Sequence, residues 1–180
     1  MFEVGERVVH PHHGAGTVVT KNLRTLLGEE REYLTITILH NQLTVNVPTD
    51  NAERVGLRPV IDERMVEIVH KVLLAGLTEM PKNWNRRFKH NRDKLKTGDI
   101  REIAEVVRNL ALRDHDKGLS TGEKQMYVKA KKLLVSELMY AKALSEDDAS
   151  EWLEGVLASP AKPSRAKPKA ASVESAPSAA

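Results

Sequence analysis

The residues best suited to bind an anionic ligand lie in one short basic segment around the first of two tryptophans. Trp84 and Phe88 stand four residues apart, the spacing at which two side chains meet on one face of a helix. Five cations surround them: Lys82, Arg86, Arg87, Lys89 and Arg92. Lysine and arginine bind phosphates, and a large ring can insert between stacked base pairs. Two interpretations stay open: Trp84 and Phe88 form an ordinary apolar face, or Trp84 is a wedge beside phosphate-binding cations.

The charge of the chain is distributed unevenly. It has 28 Lys and Arg against 25 Asp and Glu, a net charge of +3. Residues 82–132 hold fifteen of those cations and only seven acids, whereas residues 133–158 hold one cation and six acids. A local excess of this size favours an anionic partner such as nucleic acid. The alternative is a solvated helical surface with surplus lysines.

Three histidines near the N-terminus invite a metal-binding interpretation. His10, His12 and His13 fall at a strand end and in a tight turn, but the chain has no cysteine and no carboxylate at ligand spacing. We therefore predict structural or solvent-facing histidines and no metal. Residues 14–16, Gly-Ala-Gly, are too short and isolated for a phosphate-binding loop, and no nucleophile or cofactor motif is present. The sequence predicts a protein that is not an enzyme and needs no cofactor.

The first 58 residues have the pattern of a small β domain. Residues 32–39 alternate apolar with β-branched or aromatic side chains, the period of a half-buried strand. A β-branched run at residues 17–20 follows the turn cluster of residues 11–16, and Pro48 ends a later strand. Four or five short strands in this length favour a small barrel over an open sheet with exposed edges.

From residue 62 onward the apolar spacing becomes helical. Predicted caps precede the helices at Asp62, Asp99, Ser120 and Ser145, and a basic helix is expected from residue 83 to 95. Ser120 and Glu123 have the spacing of a capping box. Trp152 stands among apolar helical residues and is predicted to be core. These patterns define a helical domain over residues 62–157.

The C-terminal segment and the rest of the sequence also bear on disorder, location and oligomeric state. Residues 159–180 are rich in Ala, Pro, Ser and Lys, and we expect them to be disordered. The start lacks the pattern of a signal peptide, and no apolar run approaches the roughly 18 residues of a membrane span. We expect a cytoplasmic protein without a membrane partner. Nothing like a long heptad seam argues for a dimer, so we expect a monomer.

Three stretches of the sequence together resemble one known family. VGERVVHPHHGAG at residues 4–16, NWNRRFK at residues 83–89, and IAEVVRNL with GLSTGEK at residues 103–110 and 118–124 are similar to the CarD family of bacterial RNA-polymerase-binding regulators, also called CdnL. The similarity runs in register over residues 1–157. One such motif would be weak, but three in order at the right spacing are specific.

The resemblance implies an architecture and a function. The fold would be α+β, with a Tudor-like (SH3-like) β-barrel over residues 1–58 that binds the β subunit of RNA polymerase. The helical domain over residues 62–157 would contact promoter DNA at the upstream edge of the transcription bubble, largely independently of sequence, and stabilise the open complex. In this family a tryptophan inserts into the minor groove, and Trp84 is in its position.

The resemblance also assigns contact residues by position. The DNA backbone contacts would be Arg86, Arg87, Lys89 and Lys124. Arg24 in the barrel matches an arginine that contacts the polymerase. Asn46 stands where some members carry a second such arginine, a departure that would weaken or alter the polymerase interface.

Two other classes of function are compatible with parts of the sequence. A small barrel followed by basic helices is also suited to an RNA-binding, ribosome-associated module, which would prefer structured RNA to polymerase. A nuclease would need a cluster of metal-binding carboxylates, and the sequence does not contain one at recognisable spacing.

Overall fold

A computed structural model describes residues 2–26 and 28–159, and its N-terminal part is a five-stranded antiparallel sheet. The strands are β1 (Arg7–His10), β2 (Gly14–Leu26), β3 (Glu29–Ile38), β4 (Thr44–Pro48) and β5 (Arg58–Pro59). Their order across the sheet is β4-β3-β2-β1-β5. We call this part the sheet domain. The predicted disordered tail lies, from residue 160 onward, outside the described residues.

The hairpin of β2 and β3 dominates the sheet domain and is longer than predicted. β2 has 13 residues, whereas the sequence marked a strand only over residues 17–20. A register shift between Val18 and Thr20 marks a β-bulge, after which pairing continues to Leu26 opposite Glu29. This outer part of the hairpin is mostly polar and lacks regular apolar alternation, so the sequence pattern did not reveal it.

The core of the sheet domain forms where the predicted alternation points inward. Leu34, Ile36 and Ile38 of β3 are fully buried and pack with Val8 and Val18. Beyond β4, which ends at Pro48 as predicted, the chain forms a 3-10 turn (Thr49–Asn51) and the short helix α1 (Ala52–Val55), neither of which was predicted. A small β domain followed by helices confirms the α+β class.

Five helices form the second part of the chain, which we call the helical domain. They are α2 (Glu63–Leu74), α3 (Trp84–Thr97), α4 (Ile100–Lys117), α5 (Thr121–Lys142) and α6 (Glu146–Ala158). The four predicted caps are confirmed, because each of these side chains accepts a hydrogen bond from a backbone N–H in the first turn: Asp62, Asp99, Ser120 and Ser145. The capping box of Ser120 and Glu123 is also present.

The helical domain packs around one apolar core. α4 and α5 contribute most of it, including the fully buried Leu110, Leu134 and Leu138. Trp152 lies at the margin of this core rather than inside it. It is partly buried, with its ring 5.6 Å from that of His70. In the described part of the chain, no helix combines the length and apolar character needed to cross a lipid bilayer.

The two domains meet along the β1–β2 hairpin and α5. The hydroxyl of Ser136 accepts a hydrogen bond from the Ala15 amide at 3.1 Å, and the hydroxyls of Thr17 and Tyr140 are 2.7 Å apart. Gly14 has a φ of +87°, and a Cβ there would lie 2.6 Å from Ser136 Oγ. Residue 14 must therefore be glycine for this close approach, both for its backbone angle and for lack of space.

Candidate nucleic-acid interface

Trp84 is the first residue of α3, and its ring is held in place on one side. The ring stacks on Phe88 with centroids 5.2 Å apart and planes 21° from parallel. Its Nε1 donates a hydrogen bond to the hydroxyl of Ser120 at 2.9 Å. Even so, 43% of Trp84 remains exposed. Trp84 thus makes the apolar contact with Phe88 that the first interpretation expected, and it still presents a large ring to solvent. Its role as a wedge stays a prediction.

The aromatic pair lies directly against the first turn of α5. A Cβ at Gly122 would lie 3.3 Å from Cε2 of Phe88 and 3.6 Å from Cζ2 of Trp84. The first of these distances is tighter than ordinary van der Waals contact. A side chain at residue 122 would therefore push on the Phe88 ring, and through it on the stacked Trp84.

A buried ion pair fixes the start of α3 to the start of α5. The Glu123 carboxylate accepts a hydrogen bond from Nε of Arg87 at 2.7 Å, and both side chains are at least 95% buried. Its other oxygen accepts hydrogen bonds from the hydroxyl and amide of Ser120, at 2.9 and 3.2 Å. Arg87 also donates to the backbone carbonyl of Lys82 at 2.9 Å. Trp84, Ser120, Glu123 and Arg87 therefore form one continuous hydrogen-bonded chain from the exposed indole to the interior.

The protonation of Glu123 reflects this network. Burial alone would raise the pKa of Glu123, but the hydrogen bonds from Arg87 and Ser120 outweigh it and hold the pKa below its ordinary value. The carboxylate is therefore ionised at neutral pH. It can accept hydrogen bonds from Arg87 and Ser120 at the same time.

Of the four cations that the resemblance assigned to DNA, three are exposed and one is buried. Arg86, Lys89 and Lys124 are exposed and, in the described part of the chain, form no ion pair. Arg87 differs, because only 4% of it is exposed and its guanidinium is occupied by Glu123 and by backbone carbonyls. The expected phosphate contact of Arg87 does not fit this placement. We assign Arg87 to holding the start of α3 instead.

Two supporting residues were missed in the sequence. Ser120 and Glu123 were identified there only as a capping box, which is a local feature of α5. The structure shows that the same two side chains also hold Trp84 and Arg87, 36 residues earlier in the chain. No sequence signal pairs residues at that separation, so this second role required the fold.

Arg24 and Asn46 lie on one face of the sheet domain. β2 and β3 pair without interruption from Thr20 opposite Thr35 to Arg24 opposite Arg31, and Thr35 also pairs with Asn46 on β4. Paired residues share a face, and so do residues four apart on a strand. Both predicted polymerase contacts are exposed there, and the Asn46 side chain accepts a hydrogen bond from the Thr35 hydroxyl at 2.9 Å.

Within the histidine cluster, His10 at the end of β1 stabilises the turn that follows it. His10 is buried, and burial together with the neighbouring His13 and His12 lowers its pKa to about 4. Neutral His10 accepts a hydrogen bond from the His12 amide at 3.2 Å and so supports the turn. Among residues 2–26 and 28–159, no group of three or more His, Asp or Glu is arranged to hold a metal ion.

Comparisons with known proteins cover both domains. The model of the CarD-like/TRCF RID domain matches residues 2–61, and the model of the CarD C-terminal domain matches residues 68–154. The transcription-factor candidate YdeB of Bacillus subtilis (strain 168) is 35% identical over 146 residues, which are 81% of this chain and 95% of YdeB. The solution structure of the 72-residue N-terminal domain of Myxococcus xanthus CarD is 25% identical. It matches 33% of this chain and 79% of its own, with a TM-score of 0.30.

Proposed function

The chain belongs to the CarD family, and from this premise we propose that it regulates transcription by stabilising promoter open complexes. In this proposal the sheet domain binds the β subunit of RNA polymerase, and the helical domain contacts promoter DNA at the upstream edge of the bubble. The observation that carries the proposal is Trp84, a half-exposed ring that is held by Phe88 and Ser120. Arg86 and Lys89, its neighbours on α3, form no ion pair within the described residues. No catalytic step is part of this function.

The fixed position of Trp84 supports its role as a wedge. Insertion of a ring into the minor groove unstacks a base step, which costs a few kcal/mol. A ring that is already ordered by Phe88 and Ser120 loses little further entropy when it inserts. Trp84 would favour the melted DNA over intact duplex, and only such a difference in affinity shifts the equilibrium toward the open complex. A difference of about 1.4 kcal/mol changes the population ratio tenfold.

The exposed cations are suited to sequence-independent contacts with DNA phosphates. Arg86 and Lys89 lie on α3 and Lys124 on α5, all close in the chain to the Trp84–Ser120 contact. Such side chains bind phosphates with a strong salt dependence and little base preference. Binding to free DNA would therefore be weak. A polymerase tether through the sheet domain raises the local concentration of the helical domain at the promoter.

The lifetime of the open complex tests the proposed role of Trp84. We expect the protein to lengthen the half-life of promoter open complexes on purified bacterial polymerase, challenged with competitor DNA. Trp84→Ala should lose most of this effect, because the wedge is gone while the exposed cations remain. Trp84→Phe, which keeps an aromatic ring but not the hydrogen bond to Ser120, should retain an intermediate effect.

Two results would count against the proposal. If Trp84→Ala binds polymerase normally and lengthens the half-life as much as the parent protein does, Trp84 is not a wedge. If the parent protein neither binds the β subunit nor changes the half-life, and prefers structured RNA in competition, it belongs with the RNA-binding, ribosome-associated modules instead.

Affinity for the polymerase β subunit tests the proposed role of Arg24. Arg24→Glu should weaken binding to the isolated β subunit at least tenfold, because it reverses a charge within the proposed contact face. Arg64→Glu makes the same charge change at an exposed position on α2, in the helical domain, and should leave affinity within twofold. Isothermal titration calorimetry measures both. Equal affinities for the two variants would remove Arg24 from the interface.

A further inference from the structure

A cleft of about 330 Å³ lies beside the aromatic pair, between α3, α5 and the turn that joins β1 to β2. Its floor is apolar and its rim is cationic. The floor contains Phe88, Leu95 and Met126, and the rim contains Arg92, Lys96 and Lys129. None of the residues that line the cleft is acidic.

The rim cations are uncompensated, in contrast to other cations of the same helix. On α3, Arg87 is paired with Glu123 and Lys94 with Glu105, each at 2.7 Å. Arg92 and Lys96, on the same helix, take part in no ion pair within residues 2–26 and 28–159. Lys129 of α5 is also unpaired there. Burial, then His12 and then Lys129 lower the pKa of His13. Positive charges gathered without acids attract an anion.

The apolar floor favours a ligand that has a flat apolar part as well as phosphate groups. Leu95 and Met126 are each more than 90% buried and close the bottom of the cleft. Phe88, which is stacked on one side by Trp84, also lines it. A flat aromatic base can lie on such a floor, because base–aromatic contact is favourable for any base. The cleft therefore combines the two features that bind single-stranded nucleic acid, a stacking platform and a cationic rim.

We propose that this cleft takes one unpaired nucleotide of a single DNA strand. Its base would lie on Phe88, Leu95 and Met126, and its flanking phosphates would contact Arg92, Lys96 and Lys129. The biological setting rests on the proposed promoter contact. Phe88 and Gly122 line the cleft and also lie beside Trp84. A DNA strand that the Trp84 ring separates from its partner would therefore lie next to the cleft.

Short oligonucleotides test the cleft without polymerase. The 180-residue chain is titrated with the tetranucleotide dT4 and with a tetramer of equal charge whose four sites lack bases. Amide and methyl NMR signals report the binding. We expect dT4 to bind at least fivefold more tightly than the abasic tetramer, with shifts at the Met126 methyl group and the Gly122 amide. Equal affinity for the two tetramers would overturn the proposal, because phosphate contacts would then account for all binding.

A matched pair of lysine variants locates the site. Lys129→Gln removes a rim cation, whereas Lys132→Gln removes an exposed cation three residues later on α5, outside the cleft. Both variants have the same net charge. We expect Lys129→Gln to weaken dT4 binding at least threefold and Lys132→Gln to change it less than 1.5-fold. Equal weakening would show binding to diffuse charge and overturn the proposal. Since no polymerase is present, failure here is distinguishable from failure of open-complex stabilisation.

Discussion

Replacing Glu123 by alanine is expected to lower the free energy of unfolding by about 3 to 5 kcal/mol, the cost of breaking a buried ion pair from one side. Only 5% of the Arg87 side chain is exposed, so its charge would be left in the interior without its carboxylate. Ser120 would lose an acceptor for its hydroxyl at the same time. Urea denaturation followed by circular dichroism measures the change.

Matched variants distinguish the effect of losing the ion pair from the effect of losing side-chain volume. Lys124→Ala removes the exposed neighbouring side chain and should change stability by less than about 0.5 kcal/mol. The double variant Arg87→Met with Glu123→Leu removes both charges and keeps the apolar volume, so it should recover much of the loss. A cost below about 1 kcal/mol for Glu123→Ala would mean that Arg87 finds solvent or another acceptor when its partner is removed.

The pH dependence of stability follows from the direction of the Glu123 pKa shift. Its pKa is lower in the folded protein than its ordinary value, because Arg87 and Ser120 outweigh burial. The folded state therefore binds a proton less readily than the unfolded chain does. The stabilisation is complete above the unfolded-state pKa of about 4.3 and is lost as the pH falls through the lower folded-state value. Glu123→Gln should show a smaller loss of stability on acidification than the parent protein.

Local features were predictable from the sequence, and pairings between distant residues were not. The caps at Asp62 and Ser120 were correct because a cap depends only on the next few residues. Arg87 was assigned to DNA by its position in the family resemblance, which carries no information on its burial in this chain. Its burial depends on Glu123, which α5 brings to it from 36 residues away.

The same distinction explains the exposure of Trp84 and the length of β2. The sequence around Trp84 left core and wedge open, because the outcome depends on how far Ser120 and Gly122 cover the ring. β2 continues past Thr20 because its backbone pairs with β3, and backbone pairing leaves no apolar pattern in polar residues. Arg24 and Asn46 were assigned as polymerase contacts from family resemblance alone. Their common face became visible only from the strand register.

Glu137 is the residue whose loss should most affect the junction between the two domains. It lies on α5, only 1% exposed, and accepts two hydrogen bonds from the guanidinium of Arg58 on β5, at 2.5 and 2.8 Å. It also accepts the Ile61 amide at 3.1 Å, within the segment that connects the domains. Arg58 in turn donates to the Gly98 carbonyl at 3.0 Å, after the end of α3. One buried carboxylate thus ties the last strand, the connecting segment and two helices together.

Glu137→Ala is therefore expected to destabilise the protein by about 3 kcal/mol or more and to split one unfolding transition into two. Each domain is small and has little stability of its own, so cooperative unfolding depends on the junction. Differential scanning calorimetry measures the transitions. Tyr140→Phe serves as the control, because it removes only the hydroxyl contact with Thr17 and should cost about 1 kcal/mol with a single transition retained.

The same variant tests whether the junction must be rigid for the proposed function. If the junction has to hold the proposed polymerase contacts of the sheet domain in a fixed position relative to Trp84, Glu137→Ala should stabilise open complexes poorly. It should still bind the β subunit normally at a temperature where both domains are folded. Full open-complex stabilisation by this variant would show that the two contacts act through a flexible tether and need no fixed junction.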